Sequence, residues 1–176
     1  MASHVQVDLP LASAAPVAGS FDELVGPWIE PGYRLAVTML GDPDEARDAV
    51  QEAAINAWRS LTRLREPAQS KAWFLSIVAN RCRTVARRHW WKRGRFPLHE
   101  TAAAGPEDNI VRATDIERGM SRLAPDDRAA LHLRFYQDLS IAEVGHTLGI
   151  SEAAARSRIY RAADRLRPAL TEDDLR

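Results

Sequence analysis

Residues 139–167 read LSIAEVGHTLGISEAAARSRIYRAADRLR. Ser140 followed three residues later by Glu143 is a capping-box signature, in which a hydroxyl and a carboxylate satisfy the first unpaired N–H groups of a helix, so a helix is predicted from Ile141. Gly149 suits the left-handed residue that closes such a helix, Ile150 tucks beneath it, and Ser151 accepts the first N–H groups of the next. The stretch therefore predicts helix, tight turn, helix.

In the second of these helices Ala155, Ile159, Ala162 and Leu166 fall at i, i+4, i+7 and i+11, a stripe that faces a core. Val144, Leu148 and Ile150 are placed to meet it. The remaining surface carries Ala153, Arg156, Ser157, Arg158, Tyr160 and Arg161, with Glu152 at the N-terminal end. A helix of this width enters the DNA major groove, where arginine bonds guanine bidentately and other basic groups neutralise phosphates. The same side chains also suit an ordinary solvated basic face; the coincidence of turn spacing and arginines favours DNA reading.

The chain has 176 residues, 45% hydrophobic and 27% charged, which is enough for one moderate domain or two small ones. Its formal net charge is +0, so distribution matters more than total charge. No acidic residue occurs from Pro67 to His99, where Lys71, Arg81, Arg83, Arg87, Arg88, Lys92, Arg93 and Arg95 lie, while Asp42, Asp44, Glu45, Asp48 and Glu52 precede them. A basic face and an acidic-polar face are expected to be displayed separately.

Cys82 is the single cysteine, which excludes an intramolecular disulfide and a cysteine-rich zinc site and suits a reducing cytoplasm. His4, His89, His99, His132 and His146 are scattered without metal-ligand spacing, so no metal and no cofactor is implied. The opening residues 1–20 lack a basic n-region, contain Asp8 and break at Pro10, which reads as a disordered tail rather than a signal peptide. No uncharged apolar run of about 20 residues suggests a membrane span. A cytoplasmic protein is expected.

Helical periods dominate. FDELVGPWIEPGYRLAVTMLG, from Phe21, reads as helix interrupted at Pro27 and Pro31 and ending at Gly41. Asp42 as N-cap, Pro43 at the first position and Glu45 open a second helix, whose stripe of Val50, Ala53, Ala57, Leu61 and Leu64 has Trp58 beside it. After the loop RLREPAQS a third long helix turns Phe74, Ile77, Val78, Cys82 and Val85 inward. Residues 94–109, with two prolines, two glycines and no period, form a linker. The expected fold is all-α: two small helical bundles, 21–93 and 110–170, joined by a flexible linker, the second containing the helix-turn-helix, with a short tail at 171–176.

Three segments in order, DAVQEAAINAWRSL, AWFLSIVANRCRTVARR and LAPDDRAALHLRFYQDLSIAEVGHTLGISEAAARSRIYRA, resemble the extracytoplasmic-function sigma factors of bacterial RNA polymerase. A helix-turn-helix alone is widespread; one preceded by an acidic and then a basic helix is specific. The resemblance implies that Asp48, Gln51, Glu52 and Asn56 dock on the clamp helices of the polymerase's largest subunit. It implies that Arg63, Arg65, Lys71, Asn80, Arg83 and Arg87 act on the minus-ten strand and its melting, Asn80 matching the family's IAxN motif and the loop RLREPAQS capturing a flipped base. It assigns Glu152, Arg156, Ser157, Arg158, Tyr160 and Arg161 to the minus-thirty-five element. Further implied partners are the flap of the second-largest subunit, promoter DNA and an anti-sigma factor.

Unstacking costs a few kcal/mol per base and is offset by stacking and phosphate contacts, both of which the Lys71–Arg95 segment offers. Trp90 and Trp91 serve either as stacking platforms there or as plugs of the bundle. The docking residues equally suit a solvated helix face, and Asn80 a local bond to backbone. Three departures from the family are evident. Ala153, Ala154 and Ala155 stand where Gly-Thr-Val is frequent, which removes a hydroxyl from the head of the recognition helix. Pro67, Ala68 and Gln69 replace the usual capturing-loop types. Gly145 stands where alanine is usual, at an expected helix cost of about 1 kcal/mol.

Two other function classes compete. A conventional helix-turn-helix regulator, acting without binding the polymerase core, would bind its site alone. An enzyme fares worse, since the sequence has no P-loop, no metal-ligand motif and no nucleophile–base pair.

Overall fold

A computed structural model describes residues 19–92 and 115–167, with the side chains of 89–92 and 115–117 excepted. The expected N-terminal tail through residue 18, the linker 94–109, the first residues of the second expected bundle and the end of the chain from residue 168 lie outside the described residues, as do the side chains of Trp90 and Trp91.

The Ser20 hydroxyl and the Glu23 carboxylate exchange hydrogen bonds with each other's N–H groups and start α1, Phe21–Leu24. A 3-10 turn at Gly26–Trp28 follows, absorbing Pro27. Helix α2 then runs Ile29–Leu40 straight through Pro31, contrary to the expected interruption. Pro31 lies in the first turn, where an N–H has no intrahelical acceptor to lose. Gly41 closes α2 in the left-handed conformation at φ 75°. Asp42 Oδ1 accepts the N–H groups of Asp44 and Glu45 to cap α3, Pro43–Arg59. The apolar stripe outlasts that helix: a 3-10 turn, Leu61–Arg63, carries the chain on to buried Leu64. After a turn at Pro67–Gln69, α4 spans Ser70–Lys92.

Helices α2, α3 and α4 pack around Leu35, Met39, Ala46, Ala53, Phe74, Val78 and Cys82. Ile77 and Val85, expected inward, are half-buried. Burial pushes the Cys82 thiol up to about 12, so it behaves as an apolar core atom.

The second bundle contains α5, Asp115–Ser121; α6, Pro125–Leu131; α7, Ile141–Leu148; and α8, Glu152–Leu166. Between α6 and α7 the helix continues as a π-turn, His132–Tyr136, in which Gln137 N–H reaches back five residues to the His132 carbonyl at 3.0 Å. The helix-turn-helix forms as its caps predict. Ser140 and Glu143 make the reciprocal box, Gly149 is left-handed at φ 68°, and Ser151 Oγ accepts the Ala154 N–H. Ala155, Ile159, Ala162 and Leu166 are all buried.

The two bundles pack on each other, α4 against α7 and α2 against α6. Lys71 Nζ donates to the Gln137 carbonyl at 2.7 Å, and Arg34 Nη1 to the Tyr136 hydroxyl at 2.6 Å. Thr38 Oγ1 donates to the Arg34 carbonyl and lies 3.1 Å from His132 Nδ1. The hydroxyl proton is thereby used, so His132 carries its proton on Nδ1 and Nε2 accepts from Gln137 Nε2 at 3.2 Å. Burial, with nearby Arg34 adding to it, lowers the His132 pKa to about 4. Arg128 is 7% exposed; its Nη2 donates to the Met39 carbonyl at 2.6 Å while its buried Nε has no hydrogen-bond partner among the described residues. No described helix is long and apolar enough to cross a membrane.

Candidate nucleic-acid and polymerase interfaces

Because the buried stripe of α8 fixes its rotation, the opposite face is open. Arg156, Ser157, Tyr160 and Arg161 are exposed there, Tyr160 by 67%, with Glu152 at the N-terminal end. Arg156 Nη2 pairs with Glu152 Oε1 at 3.0 Å, an i,i+4 surface pair of the kind worth about 0.3–0.5 kcal/mol and easily exchanged for another acceptor. Arg161 Nε donates to the Ser157 carbonyl at 3.3 Å.

Arg158, expected to join this face, turns inward instead. Its guanidinium pairs with Asp126 Oδ2 at 3.2 Å and with Asp127 Oδ1 at 3.8 Å, which leaves 26% of the side chain exposed. Arg165 Nη1 meets Asp127 Oδ2 at 3.2 Å. The two carboxylates at the head of α6 were not singled out in the sequence, where PDD reads simply as a helix start.

Gly145 has a packing reason. A Cβ there would stand 2.9 Å from the Ile150 carbonyl oxygen and 3.4 Å from Glu152 N and Ser151 C, all backbone. The residue lets α7 lie directly against the turn, so its helix cost is set against a contact no alanine permits.

On α4, Asn80 is exposed and its Oδ1 accepts Arg83 Nη1 at 2.8 Å, a side-chain pair rather than the local backbone bond. Arg87 is exposed beside Thr84. Arg63 and Arg65 are exposed in the loop leading to α4. Lys71 and Arg83 differ from these: Lys71 is half-buried against Gln137 and lies over the Trp28 ring at 5.5 Å, and Arg83 is committed to the second bundle through Asp126 and Leu148.

On α3, Asp48, Gln51 and Asn56 are exposed, and Glu52, also exposed, pairs with Arg81 of α4. The same side of the helix carries Ile55 and Trp58, the latter 66% exposed. With Phe21, Ala54 and Arg59 they line a shallow groove of about 370 Å³. Neither apolar residue was singled out for docking, although at 100° per residue Ile55 falls between Gln51 and Glu52. A second groove, about 480 Å³, lies on the other bundle among Met120, Leu131, Phe135 and Leu166.

Residues 24–92 match the family described as Sigma-70 region 2, and residues 119–168 match Sigma-70, region 4. Over 146 residues the chain is 31% identical to RNA polymerase sigma factor SigV of Bacillus subtilis, covering 81% of this chain and 86% of that one. It is 32% identical over 173 residues to the ECF RNA polymerase sigma factor SigM of Mycobacterium tuberculosis, covering 93% and 84% respectively. The chain belongs to the extracytoplasmic-function sigma factors. As a sigma factor it directs RNA polymerase in transcription initiation. Its fold is shared with the sigma factor RpoE of Bartonella quintana, solved in complex with the anti-sigma factor NepR, at a TM-score of 0.72 and 23% identity over 87% of this chain and 98% of that one. In this sigma factor the region 2 match ends with α4, and the region 4 match takes in α6, α7 and α8.

Proposed function

We propose that this sigma factor divides promoter and polymerase recognition among four surfaces. The exposed face of α8, with Glu152, Arg156, Ser157, Tyr160 and Arg161, enters the major groove at the minus-thirty-five element, and Arg158 joins it once freed from Asp126. Arg63, Arg65, Asn80 and Arg87 hold the minus-ten strand as it leaves the duplex, and Lys71 and Arg83 join them once freed from Gln137, Asp126 and Leu148. Asp48, Gln51, Glu52 and Asn56 dock on the clamp helices of the largest polymerase subunit, and Ile55 and Trp58 supply the apolar centre that a desolvated contact needs. The groove beside Phe135 offers the flap of the second-largest subunit an apolar seat, and an anti-sigma factor is a further partner, as it is for the Bartonella relative.

The observation that carries the reading is the doubly capped helix-turn-helix, whose second helix buries one stripe and leaves the arginine face free. The protein performs no bond chemistry in this role; it contributes binding energy to a polymerase that melts DNA. Transcription in vitro with purified core polymerase over a library of promoter fragments tests it. Start sites that appear only when the chain is added, and that share two sequence elements upstream, are expected. A chain that binds a DNA site tightly without polymerase and starts no transcription would instead be a conventional regulator.

A further inference from the structure

At the head of α8, residues 151–155 read SEAAA, and Glu152 is the one charged side chain among them. The Ser151 hydroxyl is engaged on the Ala154 N–H at 3.2 Å, Ala155 is buried, and the exposed Ala153 and Ala154 offer only methyl groups. Polar reading of bases by this first turn therefore falls to Glu152. Its neighbours are small, so the backbone, and the carboxylate with it, can come close to the floor of a groove.

Glu152 Oε1 pairs with Arg156 Nη2 at 3.0 Å, and the two side chains remain 55% and 53% exposed. One carboxylate oxygen and one guanidinium nitrogen are engaged, so Glu152 keeps a second acceptor and Arg156 most of its donors. Four residues of helix rise about 6 Å and each base pair about 3.4 Å, so the two side chains meet base pairs no more than about two steps apart.

The base edges then sort themselves by chemistry. Arginine selects guanine, whose O6 and N7 both accept. A carboxylate only accepts, so it selects the reverse: it is repelled by guanine O6 and N7 and by thymine O4, with water excluded from the contact. Adenine offers its N6 donor but sets the N7 acceptor beside it. Cytosine offers N4 with no acceptor next to it on the same base.

We infer that Glu152 is a specificity-determining residue that selects cytosine within the minus-thirty-five element, close to the base that Arg156 reads, chiefly by excluding guanine and thymine there. The inference rests on the assignment of α8 to that element made above. A carboxylate on a helix that approaches phosphates weakens binding to every sequence alike. What it contributes is discrimination, and its pairing with Arg156 limits the repulsion.

Transcription with core polymerase, measured on promoters carrying each base in turn at each position of the minus-thirty-five element, tests it. The unaltered chain should favour cytosine over guanine and thymine by about tenfold at one position. Glu152→Gln should narrow that discrimination to within about threefold and raise adenine at the same position, because an amide matches the N6 and N7 pair of adenine. Glu152→Ala should lose the discrimination without gaining adenine. Glu152 also places negative charge at the N-terminus of α8, where it favours the helix. Loss of that effect lowers Tm and scales all promoters together, so it cannot imitate a change in base preference.

A Glu152→Gln profile parallel to that of the unaltered chain overturns the inference. So does a profile altered only where Arg156→Ala alters it equally, with no gain of adenine, since Glu152 would then act through Arg156 alone. A chain whose transcription ignores the minus-thirty-five sequence altogether removes α8 from that element and takes the inference with it.

Discussion

Replacing Gly145 by alanine separates two opposed effects whose sum has a definite sign. Intrinsic propensity alone predicts a gain of about 1 kcal/mol, since glycine inside a helix is that much worse than alanine. The structure predicts otherwise, because the new methyl would stand 2.9 Å from the Ile150 carbonyl oxygen, with Glu152 N and Ser151 C at 3.4 Å. None of these is the end of a flexible side chain, so relief requires the turn between α7 and α8 to move. That turn is held by Ile150 N–H donating to the Gly145 carbonyl at 2.9 Å and by the Ser151 cap. Forcing a methyl into such packing costs about 1–3 kcal/mol. The net expectation is a loss of about 1 kcal/mol, or roughly 2–4 °C in Tm for a chain of this size. Thermal unfolding followed by circular dichroism, with urea unfolding as the equilibrium check, measures it. A higher Tm for Gly145→Ala would refute the reasoning, since it would mean the turn yields without cost and only propensity remains.

On holoenzyme, Arg156→Ala is expected to cost about 1–3 kcal/mol at the preferred minus-thirty-five sequence and to relax preference at one or two positions, measured over single-base promoter variants; a profile parallel to the unaltered chain would deny it a reading role. Arg161→Ala should weaken all sequences nearly equally and lower the salt slope by about one ion. Asp48→Lys should reduce core-polymerase affinity without changing stability, whereas Glu52→Lys should reduce both, because it also deprives half-buried Arg81 of its partner; unchanged core affinity in both variants removes α3 from the docking surface. Stability should fall as pH drops from about 6.5 to about 4, because His132 is neutral in the fold and the unfolded chain takes up the extra proton in that window. The total is on the order of 3 kcal/mol. It is read as the urea midpoint against pH, and His132→Gln should flatten it; parallel curves would place the acid sensitivity elsewhere.

The helix-turn-helix was legible residue by residue because every signal that defines it is local: a box at Ser140 and Glu143, a glycine at 149, a cap at 151, a stripe on α8. The α3 start at Asp42 and Pro43 was legible for the same reason. Pro31 was misread because a proline marks a break only when it stands beyond the first turn, and the true start at Ile29 has no side-chain cap to announce it. Arg83 and Arg158 were read as free cations because composition shows charge and not its partner. Asp126 lies 43 residues from Arg83, and no period or spacing links them. The exposure of Ile55 and Trp58 was hidden by the habit of sending large apolar side chains inward.

The π-turn at His132–Tyr136 sets a limit on how this chain's length can drift. A π-turn accommodates one residue more than the α-helix it interrupts, so losing any one residue there would yield a smoother helix and a cheaper backbone. Everything downstream would then rotate by about 100° and shift by about 1.5 Å relative to α6. Tyr136 would leave Arg34, the Gln137 carbonyl would leave Lys71, and α7 would no longer present Leu148 to Arg83. Single-residue deletions should therefore be far scarcer among homologous sequences at this turn than substitutions at the same five positions, even though two of them, Phe135 and Tyr136, lie on the surface.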